Sequence, residues 1–263
     1  MTALIATIGL LGLAVGSFLN VVVARVPAGA SVVRPGSACP SCGHEIRARH
    51  NVPVLSWLWL RGRCADCRSP ISVRYPIVEL LTALLFVAVT AELAADHRLA
   101  LAPALLYFTA LGVALAAIDL QVHRLPNALV LPSYPVLGAL LVLGAVLDRD
   151  PVLLVHAAIG GAGLGAAYFA IALAWPGGMG FGDVKFAGLV GAVLGALSYR
   201  VLLVGAGSAF LLGAAVGLVL LAARRGSRRT AVPFGPFMVA GSLVALFLGA
   251  PLADTYVRLA LRA

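Results

Sequence analysis

Asp119 and Asp183 are the residues of this 263-residue chain best placed for chemistry. Both stand at the ends of long apolar runs, and Asp183 closes the tetrapeptide Gly180-Phe181-Gly182-Asp183. The chain is 62% hydrophobic and only 11% charged, so an acid beside a membrane-spanning run needs a reason. An ionisable side chain at membrane depth costs about 2.5–3.5 kcal/mol or more and usually marks a functional site. Two carboxylates brought together share one proton and activate water, which is the chemistry of aspartyl proteases. A second constellation is made of thiols. Cys39-x-x-Cys42 and Cys64-x-x-Cys67 are separated by 21 residues and account for all four cysteines. Two such pairs match a four-thiolate zinc site, each pair forming a tight knuckle and together a tetrahedron. Disulfides and a thioredoxin-like redox pair are the competing readings. No βαβ pattern surrounds the cysteines, and two pairs are one too many for the redox motif. Four thiolates close the coordination sphere, so the expected zinc is structural rather than catalytic. His44 is then a surface residue.

What must position these groups is a bundle of membrane helices. A mean hydropathy of +1.04 excludes an ordinary soluble domain. With roughly 20 apolar residues needed per span, about eight spans are expected, near residues 2–24, 76–95, 99–118, 128–147, 151–174, 184–199, 201–223 and 233–257. The sixth is short, and only Ser198-Tyr199-Arg200 separates it from the seventh. The first lacks the basic start and small-residue cleavage site of a signal peptide, and reads as a retained helix. Residues 25–75 break the apolar pattern: they are rich in arginine and proline and hold the cysteines. The expected class is therefore an all-α polytopic membrane protein with a zinc-knuckle loop between its first two spans. Its divisions are a first transmembrane helix (1–24), a cysteine-rich zinc-binding loop (25–75) and a polytopic membrane domain (76–263).

Orientation follows from Lys and Arg in the connections. Alternating the loops from an outside N-terminus puts 14 basic residues on one side, from Arg25 through Arg74, Arg124 and Lys185 to Arg229, and five on the other, namely Arg98, Arg149, Arg200, Arg258 and Arg262. The richer side is expected to be cytoplasmic, where structural disulfides are disfavoured. The pI of about 10.1 then reflects topology and anionic headgroups rather than nucleic acid, and the run Arg224-Arg225-Gly226-Ser227-Arg228-Arg229 is a positive-inside anchor.

Of the ten acids, seven have an ordinary solvated reading. Glu79, Asp119 and Asp183 remain, all near the cytoplasmic ends of spans. Asp119 and Asp183 share one membrane side and can meet although they stand 64 positions apart. Gly180 and Gly182 permit close approach and an irregular backbone before the helix, tolerable at this depth beside a wet cavity. Glycines such as Gly160-Gly161-Ala162-Gly163 read as close helix packing. No HExxH or GxSxG motif offers another nucleophile, and His156 reads as a hydrogen-bonded core histidine. Helix dipoles add an expectation of their own. Asp119 ends a helix and Asp183 begins one beside Lys185, which places the shared proton mainly on Asp119.

An ordered series of motifs then resembles a known family along nearly the full length. The series comprises Gly16-Ser17-Phe18-Leu19-Asn20-Val21-Val22, the Cys39/Cys42 knuckle, Asn51-Val52-Pro53-Val54-Leu55-Ser56-Trp57 and Arg61-Gly62-Arg63-Cys64-Ala65-Asp66-Cys67. It continues with Pro70-Ile71-Ser72-Val73-Arg74-Tyr75-Pro76-Ile77-Val78-Glu79, the Asp119 segment, Gly180-Phe181-Gly182-Asp183-Val184-Lys185 and Pro233-Phe234-Gly235-Pro236. The chain resembles bacterial type IV prepilin peptidases, the leader peptidase/N-methyltransferase enzymes with GxGD membrane aspartyl-protease motifs. Two departures stand out: Asn127 occupies a position where an acid is common, and His50 one where an aspartate is frequent.

The resemblance implies a membrane aspartyl endopeptidase that removes the short basic leader of type IV prepilins or pseudopilins at the cytoplasmic face. Bifunctional members then N-methylate the new amino terminus with S-adenosylmethionine. Asp119 and Asp183 become the catalytic pair, with Gly180, Gly182 and Lys185 in the active-site loop. Cys39, Cys42, Cys64 and Cys67 hold structural zinc, and Arg74 and Glu79 fall to the methyltransferase side. Expected partners are prepilins and membrane lipids, with no nucleic acid, at the bacterial inner membrane. The alternatives are a peptidase without methyl transfer and, in another class, an ion-coupled carrier. A carrier sets its carboxylates near the bilayer midplane, whereas these acids lie at one face.

Overall fold

The computed structural model describes residues 2–175, 178–223 and 232–260. The described residues form α1 (Thr2–Arg25), a short α2 (Leu55–Trp59), α3 (Arg74–Ala95), α4 (Ala102–Val122), α5 (Asn127–Leu147), α6 (Val152–Ala174), α7 (Phe181–Leu197), α8 (Tyr199–Ala222) and α9 (Gly235–Ala260). There is no named strand among them; two isolated bridges occur, both beside the cysteine knuckles. The run Arg224-Arg225-Gly226-Ser227-Arg228-Arg229 lies outside the described residues.

Seven of these helices are long and apolar enough to cross a membrane, which makes the chain a multi-pass membrane protein. The remaining expected span, the sixth in chain order, is α7. Its 17 residues give roughly 26 Å at 1.5 Å per residue, against a hydrocarbon thickness of about 30 Å. It compensates by lying inside the bundle: Phe186, Leu189, Val190, Val193 and Leu194 are buried. α8 has the opposite character, with Leu203, Leu211, Leu218 and Val219 exposed along it. A helix that is apolar on its outward face belongs against lipid rather than water.

The helices pack as pairs around α4: α1 on α3, α6 on α7 and α8 on α9, with α4 touching α1, α3, α5 and α9. Small residues decide how close each pair comes. A Cβ built on Gly160 of α6 would lie 2.4 Å from the Gly191 carbonyl oxygen of α7, so the two backbones meet there. Gly161 also faces α7, whereas Gly163 looks into open space. The expected packing role therefore belongs to two of the three glycines in that run.

Both ends of the bundle are tied by polar contacts. At one end Arg98 donates to the carbonyls of Leu197 and Ala196 at 3.0 and 3.2 Å, satisfying the last turn of α7. Ser198 turns the chain in one extended residue and caps α8 by accepting the Val201 amide at 3.1 Å. Arg200 pairs with Asp254 across α8 and α9 at 2.9 Å. Arg98 and Arg200, grouped on the basic-poor side from the sequence, thus share the end that α7 closes on. His156 is half-buried and packs on Tyr199, with ring centroids 4.7 Å apart. At the opposite end lie the C-terminus of α4, the N-termini of α5, α7 and α9, and the cysteine loop.

Candidate active site and metal centre

Asp119 lies in the last turn of α4, which continues to Val122 rather than stopping at the acid. The helix ends at His123, whose left-handed φ of 53° turns the chain while its amide still reaches Asp119 O at 2.9 Å. The Asp119 side chain is 4% exposed. Its Oδ2 accepts the Gly235 amide at 2.9 Å, and Gly235 is the first residue of α9. Such a contact satisfies one of the free amides of a helix start and gives a buried carboxylate a fixed orientation.

Asp183 occupies the third position of α7, with Gly180 as the N-cap. Its Oδ2 accepts the Gly180 amide at 3.1 Å, and the Asp183 amide bonds back to Gly180 O at 3.0 Å. The irregular segment therefore ends at Gly180, and Gly182 is already helical. Gly182 acts through space rather than through backbone freedom. A Cβ there would lie 3.0 Å from Leu125 Cβ, so glycine lets the first turn of α7 close on the α4–α5 connection.

The two acids are brought together. Asp119, Asp183, Gly180, Gly182 and Lys185 all line one cavity of about 620 Å³, whose rim is completed by Val26, Pro27 and residues 122–127. Lys185 donates to Asn127 Oδ1 at 3.0 Å and lies 5.6 Å from the Phe181 ring centre. Tyr134 fixes the same turn by donating to Lys185 O at 2.7 Å. Asn127, where an acid is common in similar chains, thus serves as the acceptor for Lys185.

One electrostatic expectation loses its ground. The sequence distinguished Asp119, at a helix C-terminus, from Asp183, at an N-terminus. The start of α9 supplies Asp119 with a helix N-terminus as well, so dipole ends no longer separate the two acids. Gly235 escaped notice as a site residue for a related reason. Its contribution is a main-chain amide, and only the motif Pro233-Phe234-Gly235-Pro236 marked the place.

The four cysteines converge separately. Their Sγ atoms all lie within 4.8 Å of one another. A tetrahedron of sulfurs about 2.3 Å from zinc has edges of about 3.8 Å, which is the Cys39–Cys67 Sγ separation of 3.8 Å. The two knuckles are built alike. Cys39 N bonds His44 O and Cys64 N bonds Ser69 O, both at 2.8–2.9 Å, with positive φ at Gly43 and Arg68 closing the turns. The Ser69 hydroxyl, 3.6 Å from the sulfur, and the amides of Cys42 and Ser41 hold the Cys39 thiol down at about 6. That favours a thiolate at Cys39, whereas burial pushes the Cys42 thiol up to about 12. The donor set fits zinc, and the His44 side chain is exposed outside the cluster.

Glu79 and Arg74 go to different places. Glu79 is 7% exposed, and its Oε2 accepts the Val54 amide at 2.7 Å. Val54 has φ 61° and ψ −51°, a costly conformation for a β-branched residue, so this bond holds a strained turn in place. Glu79 lines a second cavity of about 470 Å³ between the loop, α1 and α3. Arg74 instead reaches across to α4, donating to Gln121 Oε1 at 2.5 Å. It joins the start of α3 to the turn that carries Asp119.

Comparison with known proteins gives two family matches along the chain. The model of the Bacterial Peptidase A24 N-terminal domain matches residues 10–93, and that of the Type IV leader peptidase family matches residues 105–253. A protein of Aeromonas hydrophila called prepilin leader peptidase/N-methyltransferase is 37% identical over 279 residues, covering 94% of this chain and 92% of the relative. Proteins with the same name from Pseudomonas putida and Pseudomonas aeruginosa are 39% and 35% identical. They cover 91% and 95% of this chain, and 88% and 92% of the relatives. No solved structure matches the chain. With a family match beyond half its length and relatives aligned almost end to end, the chain belongs to the type IV leader peptidase family.

Proposed function

We propose that the chain is a membrane aspartyl endopeptidase that removes the basic leader of type IV prepilins or pseudopilins and then N-methylates the exposed amino terminus. The observation that carries this is the shared cavity of Asp119 and Asp183, each anchored by the amide of a glycine at a helix start. One carboxylate, ionised, takes a proton from water as the water oxygen attacks the scissile carbonyl carbon. The other, protonated, donates to the developing oxyanion. The proton taken from water then passes to the leaving nitrogen as the C–N bond breaks. The bonds from Gly235 and Gly180 each engage one oxygen per acid and leave the second oxygen to act on water.

The cavity opens at one end of the bundle rather than at its middle, which favours peptidase chemistry over an ion-coupled carrier. The excess of Lys and Arg on this side supports a cytoplasmic catalytic end for a protein of the bacterial inner membrane. There a substrate's apolar helix can lie among the spans while its basic leader meets anionic headgroups. Nucleic acid has no part in this reading.

Methyl transfer is associated with the loop of residues 25–75, and residues 76–263 form the peptidase domain. Zinc on Cys39, Cys42, Cys64 and Cys67 is a folding device, because so small a loop buries little core. S-adenosylmethionine, when bound, supplies an electrophilic methyl group. It would methylate the new amine and leave as the neutral thioether, with the surplus ammonium proton passing to water. The deciding experiment incubates purified protein with a prepilin and S-adenosylmethionine, followed by mass spectrometry of the new N-terminus. Cleavage at one site with a gain of one methyl is expected; an uncut prepilin refutes the reading.

A further inference from the structure

The cavity beside Glu79 has features that proteolysis does not use. Its polar wall is built by α1 and α3, which touch at this level. A Cβ on Gly16 would lie 2.6 Å from Glu79 Cα. From this wall Glu79 and Asn20 line the cavity, at 7% and 3% exposure. Asn20 Nδ2 donates to the carbonyls of Gly16 and Tyr75, at 3.3 and 3.1 Å. Those two acceptors fix the orientation of the amide, since a flip would set oxygen against oxygen. The remaining atom, Asn20 Oδ1, is buried without a hydrogen-bond partner among the described residues. A buried carbonyl oxygen of this kind costs stability unless something is bound to it.

The wall therefore presents a carboxylate and an orphaned amide oxygen, both acceptors. No ion pair among the described residues neutralises them, since neither of the two involves Glu79. Arg25, which also borders the cavity, spends its guanidinium on the carbonyls of Ser31, Pro35 and Gly36. The loop adds polar residues to the lining and, among them, the apolar side chains of Val52, Leu60, Ile71 and Trp57. Trp57 commits its indole N–H to Ile71 O at 3.1 Å, so it turns only ring surface to a ligand. A cavity of about 470 Å³ falls within the range of small-molecule sites, about 300–1,000 Å³. Buried acceptors and an indole ring lining the same cavity suit a molecule with a cationic end and a planar heterocycle.

We infer that this cavity is the binding site of the methyl donor, S-adenosylmethionine, with Glu79 and Asn20 taking its cationic end and Trp57 flanking its adenine. This rests on the methyltransferase half of the proposed function. Its placement suits the order of the two reactions. Ala24 and Arg25 border this cavity, while Val26 and Pro27 border the one holding Asp119 and Asp183. An amine released at the aspartates thus has only the end of α1 to pass.

The test is ultraviolet crosslinking of radiolabelled S-adenosylmethionine to the purified full chain in detergent, with peptide mapping, beside calorimetric titration of the same compound. Label is expected on peptides from residues 17–25 or 52–79. Glu79→Gln and Asn20→Ala are expected to weaken binding by about 10–100-fold, the loss typical of a hydrogen bond to a charged group. Zinc content serves as the check that each variant is folded. Label on peptides from residues 105–253, or unchanged affinity in both folded variants, overturns the site. The wild-type crosslink decides the matter even where a variant does not fold. A wild-type chain that cleaves and methylates a prepilin but is labelled elsewhere refutes this inference alone. One that cleaves without methylating and binds no S-adenosylmethionine refutes the methyltransferase reading beneath it.

Discussion

Replacing Gly235 by alanine tests whether the first turn of α9 orients the catalytic pair. The added Cβ would stand 2.8 Å from Asp119 Oδ2, 3.1 Å from Leu125 Cδ2 and 3.4 Å from Asp119 Cγ. Relief requires the carboxylate to retreat by about 0.6 Å, the difference between 2.8 Å and the 3.4 Å at which van der Waals contact becomes ordinary. Leu125 blocks one way out, and Asp119 is 4% exposed, so little space absorbs the movement. The retreat stretches the 2.9 Å bond from the Gly235 amide. Losing a hydrogen bond to a charged group is worth about 1.5–3 kcal/mol, and a 1 Å misplacement of a reacting group costs about 10²-fold. Cleavage of a prepilin peptide by Gly235→Ala should therefore fall about 10–100-fold, mainly in kcat. Stability should fall less than activity, because the better helix propensity of alanine, worth about 1 kcal/mol over glycine, offsets part of the loss. A variant with unchanged zinc content, unchanged melting and kcat within about twofold of wild type would refute the claim that this amide positions Asp119.

The remaining expectations are simpler. Asp119→Asn and Asp183→Asn should each abolish cleavage while zinc content persists, read by mass spectrometry of a prepilin after long incubation. Zinc should bind at one equivalent per chain; Cys64→Ser or a strong chelator should remove it and make residues 25–75 protease-sensitive, with cleavage surviving better than methyl transfer. Metal analysis without zinc, together with disulfides by mass mapping, sinks the knuckle. Gly160→Leu should separate α6 from α7, since even a Cβ meets backbone at 2.4 Å. The strain is of the order of 1–3 kcal/mol or more, visible as a lower melting temperature.

The outcomes divide along a physical line. Composition and patterning alone were enough for a polytopic helical bundle, because lipid demands long apolar helices and shows them as runs. The cysteine pairs announced a tetrahedral site through spacing, since a CxxC knuckle is a local geometry. The acid pair was legible because charge is rare in such a chain and because alternating spans put both acids on one side. Tertiary structure decided matters that depend on main-chain atoms and on distant approach. The Gly235 amide on Asp119, the separation of Arg74 from Glu79 and the strained Val54 turn on Glu79 leave no trace in residue types or spacing. Helix dipoles show the same limit. The sequence placed Asp119 at the end of one helix, and only packing placed it at the start of another, because α4 and α9 meet across 116 positions of chain.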